Sequence, residues 1–208
     1  MISLLFFACS SKPRVANDAE QTDTLSREER ILCYKNTIDS INKSLCWNEI
    51  GCGLWKSKNG DLALKIVEWT DVNTSIDKYI MCLADFRPLN KVVDTTTFRY
   101  LGSSFYGDKN HIYTHYMMVD GGFFQIVEDA DVETFRIIGA CYAKDKNYIF
   151  GERAMRMDSV DYKTFKTCDE CGCFAKDKNA YYFWDEKIDT TNIEDEEILK
   201  IIEQLRKL

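Results

Sequence analysis

Asp131-Val132-Glu133-Thr134-Phe135-Arg136-Ile137-Ile138-Gly139-Ala140-Cys141-Tyr142-Ala143-Lys144-Asp145-Lys146-Asn147-Tyr148-Ile149-Phe150 is the stretch that decides the fold. It holds two signatures in fixed order: an Asp followed three places later by Thr-Phe, and then the triplet Asp-Lys-Asn. The same pair occurs at Asp94-Thr95-Thr96-Thr97-Phe98 with Asp108-Lys109-Asn110, and at Asp161-Tyr162-Lys163-Thr164-Phe165 with Asp177-Lys178-Asn179. From Phe to the triplet Asp the offsets are 10, 10 and 12 residues, and the triplets recur after 37 and 32 residues. Two independent signatures in one order, three times over, define an internal repeat.

The triplet reads as a turn. Aromatic residues stand four positions either side of each Lys: Phe105 and Tyr113, Tyr142 and Phe150, Phe174 and Tyr182. If the flanks are antiparallel strands, this symmetry predicts aromatics directly opposite one another and a three-residue loop of Asp, Lys and Asn. Asp hydrogen-bonds its own turn, Asn takes the left-handed place, and Lys stays in solvent. The upstream signature suits one short helical turn, with Asp capping the first amides and Phe folding back into the core. The expected fold is therefore mainly β, an array of three or more β-hairpin repeats with short helical turns between them.

These units resemble the DKNYY family, which occurs mainly in bacterial proteins of undetermined function. The resemblance covers about Asp94 to Trp184. It implies hairpin repeats and brings no activity, cofactor or partner with it. The third copy departs slightly, since Asn179-Ala180-Tyr181-Tyr182 carries its tyrosine pair one place late.

Outside the repeats, Ser26-Arg27-Glu28-Glu29 reads as a capping box opening an N-terminal helix over Ile31 to Leu45. Gly53 to Val67 reads as a further hairpin around Ser57-Lys58-Asn59-Gly60, a diverged first unit. At the other end Thr191-Asn192-Ile193-Glu194 is read as the opening of a C-terminal amphipathic helix. Ile198, Leu199, Ile201, Ile202, Leu205 and Leu208 form its apolar face, which caps the array.

The N-terminus resembles a bacterial lipoprotein signal: Met1 to Ala8 is apolar and ends in a small residue, followed by Cys9 as the lipidation site. Ser10 to Ser26 is polar and aperiodic, as expected of a flexible tether. The expected organisation is signal 1–9, tether 10–26, an irregular part 27–93, hairpin repeats 94–190 and the capping helix 191–208. Anchoring would place the protein in the bacterial cell envelope, held at the membrane through a lipid alone; a signal that is not genuine would leave it cytoplasmic.

The chain has 208 residues, 45% hydrophobic and 13% aromatic, with a formal net charge of -7. Such a chain can build a core, and its acidity with no basic patch argues against nucleic-acid binding. Of nine cysteines, the eight after Cys9 form an even set that an oxidising compartment would allow to pair. Cys168, Cys171 and Cys173 make the densest cluster. Three thiols without a fourth ligand fall short of a structural metal site, and Asp169 and Glu170 disfavour the thiolate a redox motif needs. Cys141 and Cys173 both lie four residues before their turn Asp, and Ser104 holds that place in the first copy, so stacked copies could bring the two sulfurs together. His111 and His115 are read as solvent-facing strand residues. The Asp-Lys-Asn turns lack the alternating carboxylates of a calcium loop. No catalytic set and no cofactor site is legible. The functional expectation is a non-catalytic, protein-binding or scaffold lipoprotein with an unknown protein partner, of immunity type in its narrowest form. The alternative is an envelope thiol-redox or metal-binding protein using Cys168, Cys171 and Cys173.

Overall fold

The computed structural model describes residues 25–70, 74–153 and 155–208. Cys9 and the tether up to Thr24 lie outside the described residues. The chain divides into two compact units, one up to Val93 together with Met117–Phe124, the other formed by Asp94–Tyr116 and Gln125–Leu208. The secondary structure is mainly β, in four four-stranded antiparallel sheets, each a meander whose strands follow in chain order.

In the first unit, α1 (Arg27–Leu45) starts at a reciprocal capping box. The Ser26 amide donates to Glu29 Oε2 at 2.7 Å, and the Glu29 amide donates to Ser26 Oγ at 3.2 Å. Cys46 ends the helix in the left-handed region, φ 49°. No residue of α1 is buried. The meander that follows is β1 (Asn48–Gly51), β2 (Leu54–Lys56), β3 (Leu62–Trp69) and β4 (Ser75–Ile80). Leu54, Leu62, Ala63, Leu64, Ile66 and Ile76 fill its core, and Leu89 of the short α2 (Leu89–Val92) is fully buried.

This meander is a repeat copy with altered chemistry. Ser57-Lys58-Asn59 stands where the other copies have Asp-Lys-Asn, and Ser57 Oγ accepts from the amides of Asn59 and Asp61 at 3.1 and 3.0 Å. Gly51 (φ 115°) and Cys52 (φ 52°) match Gly102 (φ 117°) and Ser103 (φ 55°) of the next copy. The array thus has four hairpin units, the first with a hydroxyl in place of the carboxylate.

The second unit holds the three Asp-Lys-Asn copies. Their sheets are β5 (Arg99–Gly102), β6 (Phe105–Gly107), β7 (Ile112–Tyr116) and β8 (Phe123–Ile126); β9 (Arg136–Gly139), β10 (Tyr142–Lys144), β11 (Ile149–Gly151) and β12 (Met155–Arg156); and β13 (Lys166–Thr167), β14 (Phe174–Lys176), β15 (Tyr181–Phe183) and β16 (Glu186–Ile188). The signature Phe of the second and third copies is a wedge. Phe135 meets Phe105 of the copy before it and Phe150 of its own, with ring centroids 5.3 and 5.5 Å apart. Phe165 repeats this with Tyr142 at 5.3 Å and Tyr182 at 6.2 Å. Neighbouring copies therefore share apolar clusters, one around Phe105, Ile112, Ala143 and Phe150, the next around Tyr142, Ile149, Phe165 and Tyr182. Gly139 permits the close approach: a Cβ there would come within 2.7 Å of the Thr167 side chain.

Four expectations need correction. The hairpin register is centred half a residue later than the flanking aromatics imply: Phe105 pairs with Thr114 and Tyr106 with Tyr113, Ala143 with Phe150, Ala175 with Tyr182. The loop therefore has four residues, Asp-Lys-Asn and the next, closed by a bond from each Asp amide to the carbonyl of His111, Tyr148 or Ala180. Asn110, Asn147 and Asn179 are not in the left-handed region, because the Asp side chain organises the turn and no residue in it needs positive φ. The C-terminal helix α3 (Glu196–Lys207) begins five residues after Thr191, since Asp195 supplies the cap by accepting from the amides of Glu197 and Ile198. Finally, His115 is buried, on a strand whose residues Ile112 to His115 all face into packed surroundings.

Helix α3 covers the last copy, with Ile202 and Leu205 buried, and lies against β14 and the 3-10 turn Asp169–Cys171. Lys176 Nζ reaches the Arg206 carbonyl at 3.4 Å and Lys166 Nζ the Leu208 carbonyl, so two cations sit at the negative end of the helix.

Candidate functional site

The two signatures interlock, and the geometry is the same in all three copies. Asp108 is fully buried. Its Oδ1 accepts from the amides of Asn110 and His111 at 2.7 and 2.8 Å, and its Oδ2 accepts from the amide of Asp94 at 2.8 Å, fourteen residues upstream. Asp94 in turn caps its own turn through the amides of Thr96 and Thr97. Thr97 Oγ1 donates to Asp94 Oδ1 and accepts from the amide of Lys109. Lys109 closes the ring with its ammonium 2.6 Å from Asp94 Oδ2. Asp131, Thr134, Asp145 and Lys146 repeat these links except the bond from the first turn amide, as do Asp161, Thr164, Asp177 and Lys178. The aromatic hydroxyl adds a bond where there is one: Tyr113 and Tyr182 donate to Asp108 and Asp177 at 2.8 and 3.0 Å, whereas Phe150 has none to give.

A buried carboxylate is tolerable because its lone pairs are filled by amides. Asp177 shows the balance. Burial pushes its pKa up, but the amides of Asp161, Asn179 and Ala180 and the Tyr182 hydroxyl outweigh it, and the net shift is downward. Burial first and the hydrogen bond to Asp177 second push the Tyr182 hydroxyl up to about 12. The capping carboxylates are lowered too, by their Lys first and their Thr second, Asp161 to about 2. These carboxylates are committed to the frame, so the turns offer little to a ligand.

A second set of equivalent positions joins the copies. Ser104, Cys141 and Cys173 lie at the same place, and each carbonyl accepts from the amide of its cross-strand partner: His115, Glu152 and Trp184. Cys141 and Cys173 are joined as a disulfide across copies two and three, Cα atoms 5.0 Å apart. Ser104 Oγ of copy one donates to Glu152 Oε2 at 2.5 Å, and Trp184 Nε1 of copy three donates to Glu152 Oε1 at 3.2 Å. Glu152 Oε1 is also 3.7 Å from Cys173 Sγ. Beside it, the Arg153 guanidinium lies over the rings of Tyr116 and Trp184 at 5.4 and 4.4 Å. Tyr142 bridges as well, its hydroxyl 2.7 and 2.8 Å from the carbonyls of Cys173 and Trp184.

The cysteine cluster is split between two partners. Cys168 bonds to Cys171, Cα atoms 5.1 Å apart, while Cys173 turns to Cys141. Cys33, Cys46 and Cys52 are free and exposed. His111 is not on a strand face but in the first turn, its amide bound to Asp108. Glu152 and Arg153 escaped sequence reading because nothing local marks them; only their place seven and eight residues past the turn Asp, aligned against His115 and Tyr116, would have found them.

In the first unit, an open groove of about 630 Å³ is lined by Ile31 and Tyr34 of α1, Trp69 of β3, and Met118 and Val119. Trp69, Met117 and Val119 are 60%, 60% and 73% exposed. Among the described residues no helix is long and apolar enough to cross a membrane.

Three four-stranded meanders, each closed by an Asp–Thr–Asp–Lys lock, and a further meander with a Ser57-centred turn make this a β-hairpin repeat protein. The model of the DKNYY family matches residues 123–187, so this part of the chain is similar to that family. No curated protein and no solved structure matches.

Proposed function

We propose that this chain is a lipid-anchored bacterial envelope protein whose hairpin array presents a non-catalytic surface to a protein partner. The observation that carries the binding role is the groove beside α1. A helix with no buried residue, next to exposed Trp69, Met118 and Val119, is apolar surface of the kind that marks interaction sites. The lock residues support the same reading from the other side, since their polar atoms are used in holding the frame. An immunity-type protein, in which the groove receives a partner toxin, is the narrow form of this proposal. The sequence pattern around Cys9 supports the anchor.

Two measurements test it. Envelope extract passed over immobilised residues 27–208 should leave a protein that Trp69→Ala with Val119→Asp no longer retains; equal retention by both would remove the groove from the proposal. Fatty-acid labelling in a bacterial host should mark the wild type and fail for Cys9→Ser, and equal labelling would refute the anchor.

A further inference from the structure

We propose that Cys141, Cys173 and Glu152 form, once the disulfide is reduced, a three-ligand site for a thiophilic divalent cation of the zinc class, so that the joint between copies two and three is closed by a disulfide or by a metal.

Glu152 stands beside the joint. Its Oε1 lies 3.7 Å from Cys173 Sγ. A disulfide sulfur carries no proton, so in the oxidised joint this contact is not a hydrogen bond. It gains a purpose only when the sulfur is a thiol or a thiolate. Tetrahedral zinc with bonds of about 2.3 Å to sulfur and about 2.1 Å to oxygen separates the two ligand atoms by roughly 3.6 Å. The carboxylate therefore already stands at the right distance from Cys173. The ligand atoms of Cys141, Glu152 and Cys173 all lie within 4.8 Å of one another. The two sulfurs need only part to about 3.8 Å, the separation the same zinc–sulfur bonds set, which side-chain rotation can supply.

The surroundings fit a ligand carboxylate. Ser104 donates to Oε2 and the Trp184 indole to Oε1, fixing the carboxyl group as outer-shell donors fix metal ligands. Cys141 is buried and Glu152 and Cys173 are half-buried, so the set is partly shielded from water, and three ligands leave one tetrahedral position open. Two thiolates and a carboxylate match zinc better than magnesium or calcium.

A dithiol reductant gives two electrons and two protons to the Cys141–Cys173 bond and becomes a disulfide itself. The cation then displaces both thiol protons, and oxidation of the pair would expel it. Disulfide and metal are mutually exclusive because they use the same sulfurs.

The experiment uses the full chain with Cys33, Cys46 and Cys52 changed to Ser, reduced by a phosphine without oxygen and titrated with cobalt(II), then zinc. One equivalent of cobalt should bind with a thiolate charge-transfer band and tetrahedral visible bands, and zinc should bleach both. Cys168→Ser with Cys171→Ser should keep the spectrum. Glu152→Gln, which retains every sulfur and can be checked for folding in its oxidised form, should weaken binding at least tenfold. The oxidised chain should bind nothing stoichiometrically. Loss of the band in the Cys168/Cys171 variant, equal binding by Glu152→Gln, undiminished binding by the oxidised chain or no stoichiometric binding at all would each overturn the proposal.

Discussion

At the scale of single residues, the motif divides into groups that matter to the frame and groups that decorate it. Asp145 is fully buried, and its two oxygens accept from the amides of Asn147, Tyr148 and Asp131. Asn in its place offers one acceptor and an amide donor that would face donors. Hydrogen bonds to charged groups contribute about 1.5–3 kcal/mol each, so Asp145→Asn should destabilise the protein by roughly 2–4 kcal/mol. Lys146 is equally prominent in sequence, but its side chain is 56% exposed and pairs with Asp131 at the surface. Exposed ion pairs contribute little because water and salt screen them, so Lys146→Ala should cost far less than Asp145→Asn. Urea unfolding of both variants checks the ordering, and a Lys146 effect as large as that of Asp145 would refute the division. Asn147 carries no left-handed strain, so its role is confined to the amide it gives to Asp145.

At the scale of elements, each hairpin is completed by a neighbour. The meanders are short, several strands having only two or three residues, too little to be stable alone. The signature Phe supplies what they lack by entering the seam between consecutive sheets. Phe165 is buried between Tyr142 of copy two and Tyr182 of copy three. Truncating a buried Phe removes both its transfer free energy and its packing, about 3–5 kcal/mol. Phe165→Ala should therefore lower stability by roughly that amount, and Phe165→Leu by less than half of it, as read from thermal or urea unfolding. An effect under about 1 kcal/mol for the Ala variant would mean that the copies do not depend on this seam.

Acid sensitivity belongs to the whole molecule, because three locks act together. Asp94, Asp131, Asp161 and Asp177 all have folded-state pKa values below their ordinary value of 3.8. Groups lowered in the folded state stabilise it fully above the ordinary value and lose that contribution as pH falls toward the folded one. Thermal midpoint should thus be flat from about pH 7 to 5 and fall as pH drops below about 4, with Asp161 contributing down to about 2 and Asp94 lower still. Replacing the three lock lysines, Lys109, Lys146 and Lys178, should make that fall shallower, since they are the largest cause of the shift at their partners. A midpoint unchanged down to pH 2 would contradict the assignment.

How much of this was legible from the letters follows from the range of each interaction. The sequence by itself determined the repeat, its β-hairpin class, the Asp-centred turns and the capping role of the upstream Asp, because these rest on contacts between residues a few places apart. The Cys141–Cys173 equivalence was also visible, as it follows from the repeat period alone. Register was not: aromatic symmetry about Lys suggested a three-residue loop, whereas the loop that forms has four residues, closed by the bond from each Asp amide to the carbonyl three places on, with the Asp108 side chain held also by the amide of Asp94, fourteen residues away. Nor could the letters mark the burial of His115, or Glu152 and Arg153, whose surroundings come from three different copies. Tertiary structure decided these because they depend on how sheets stack, and stacking brings together positions that share a place in the repeat but no local pattern.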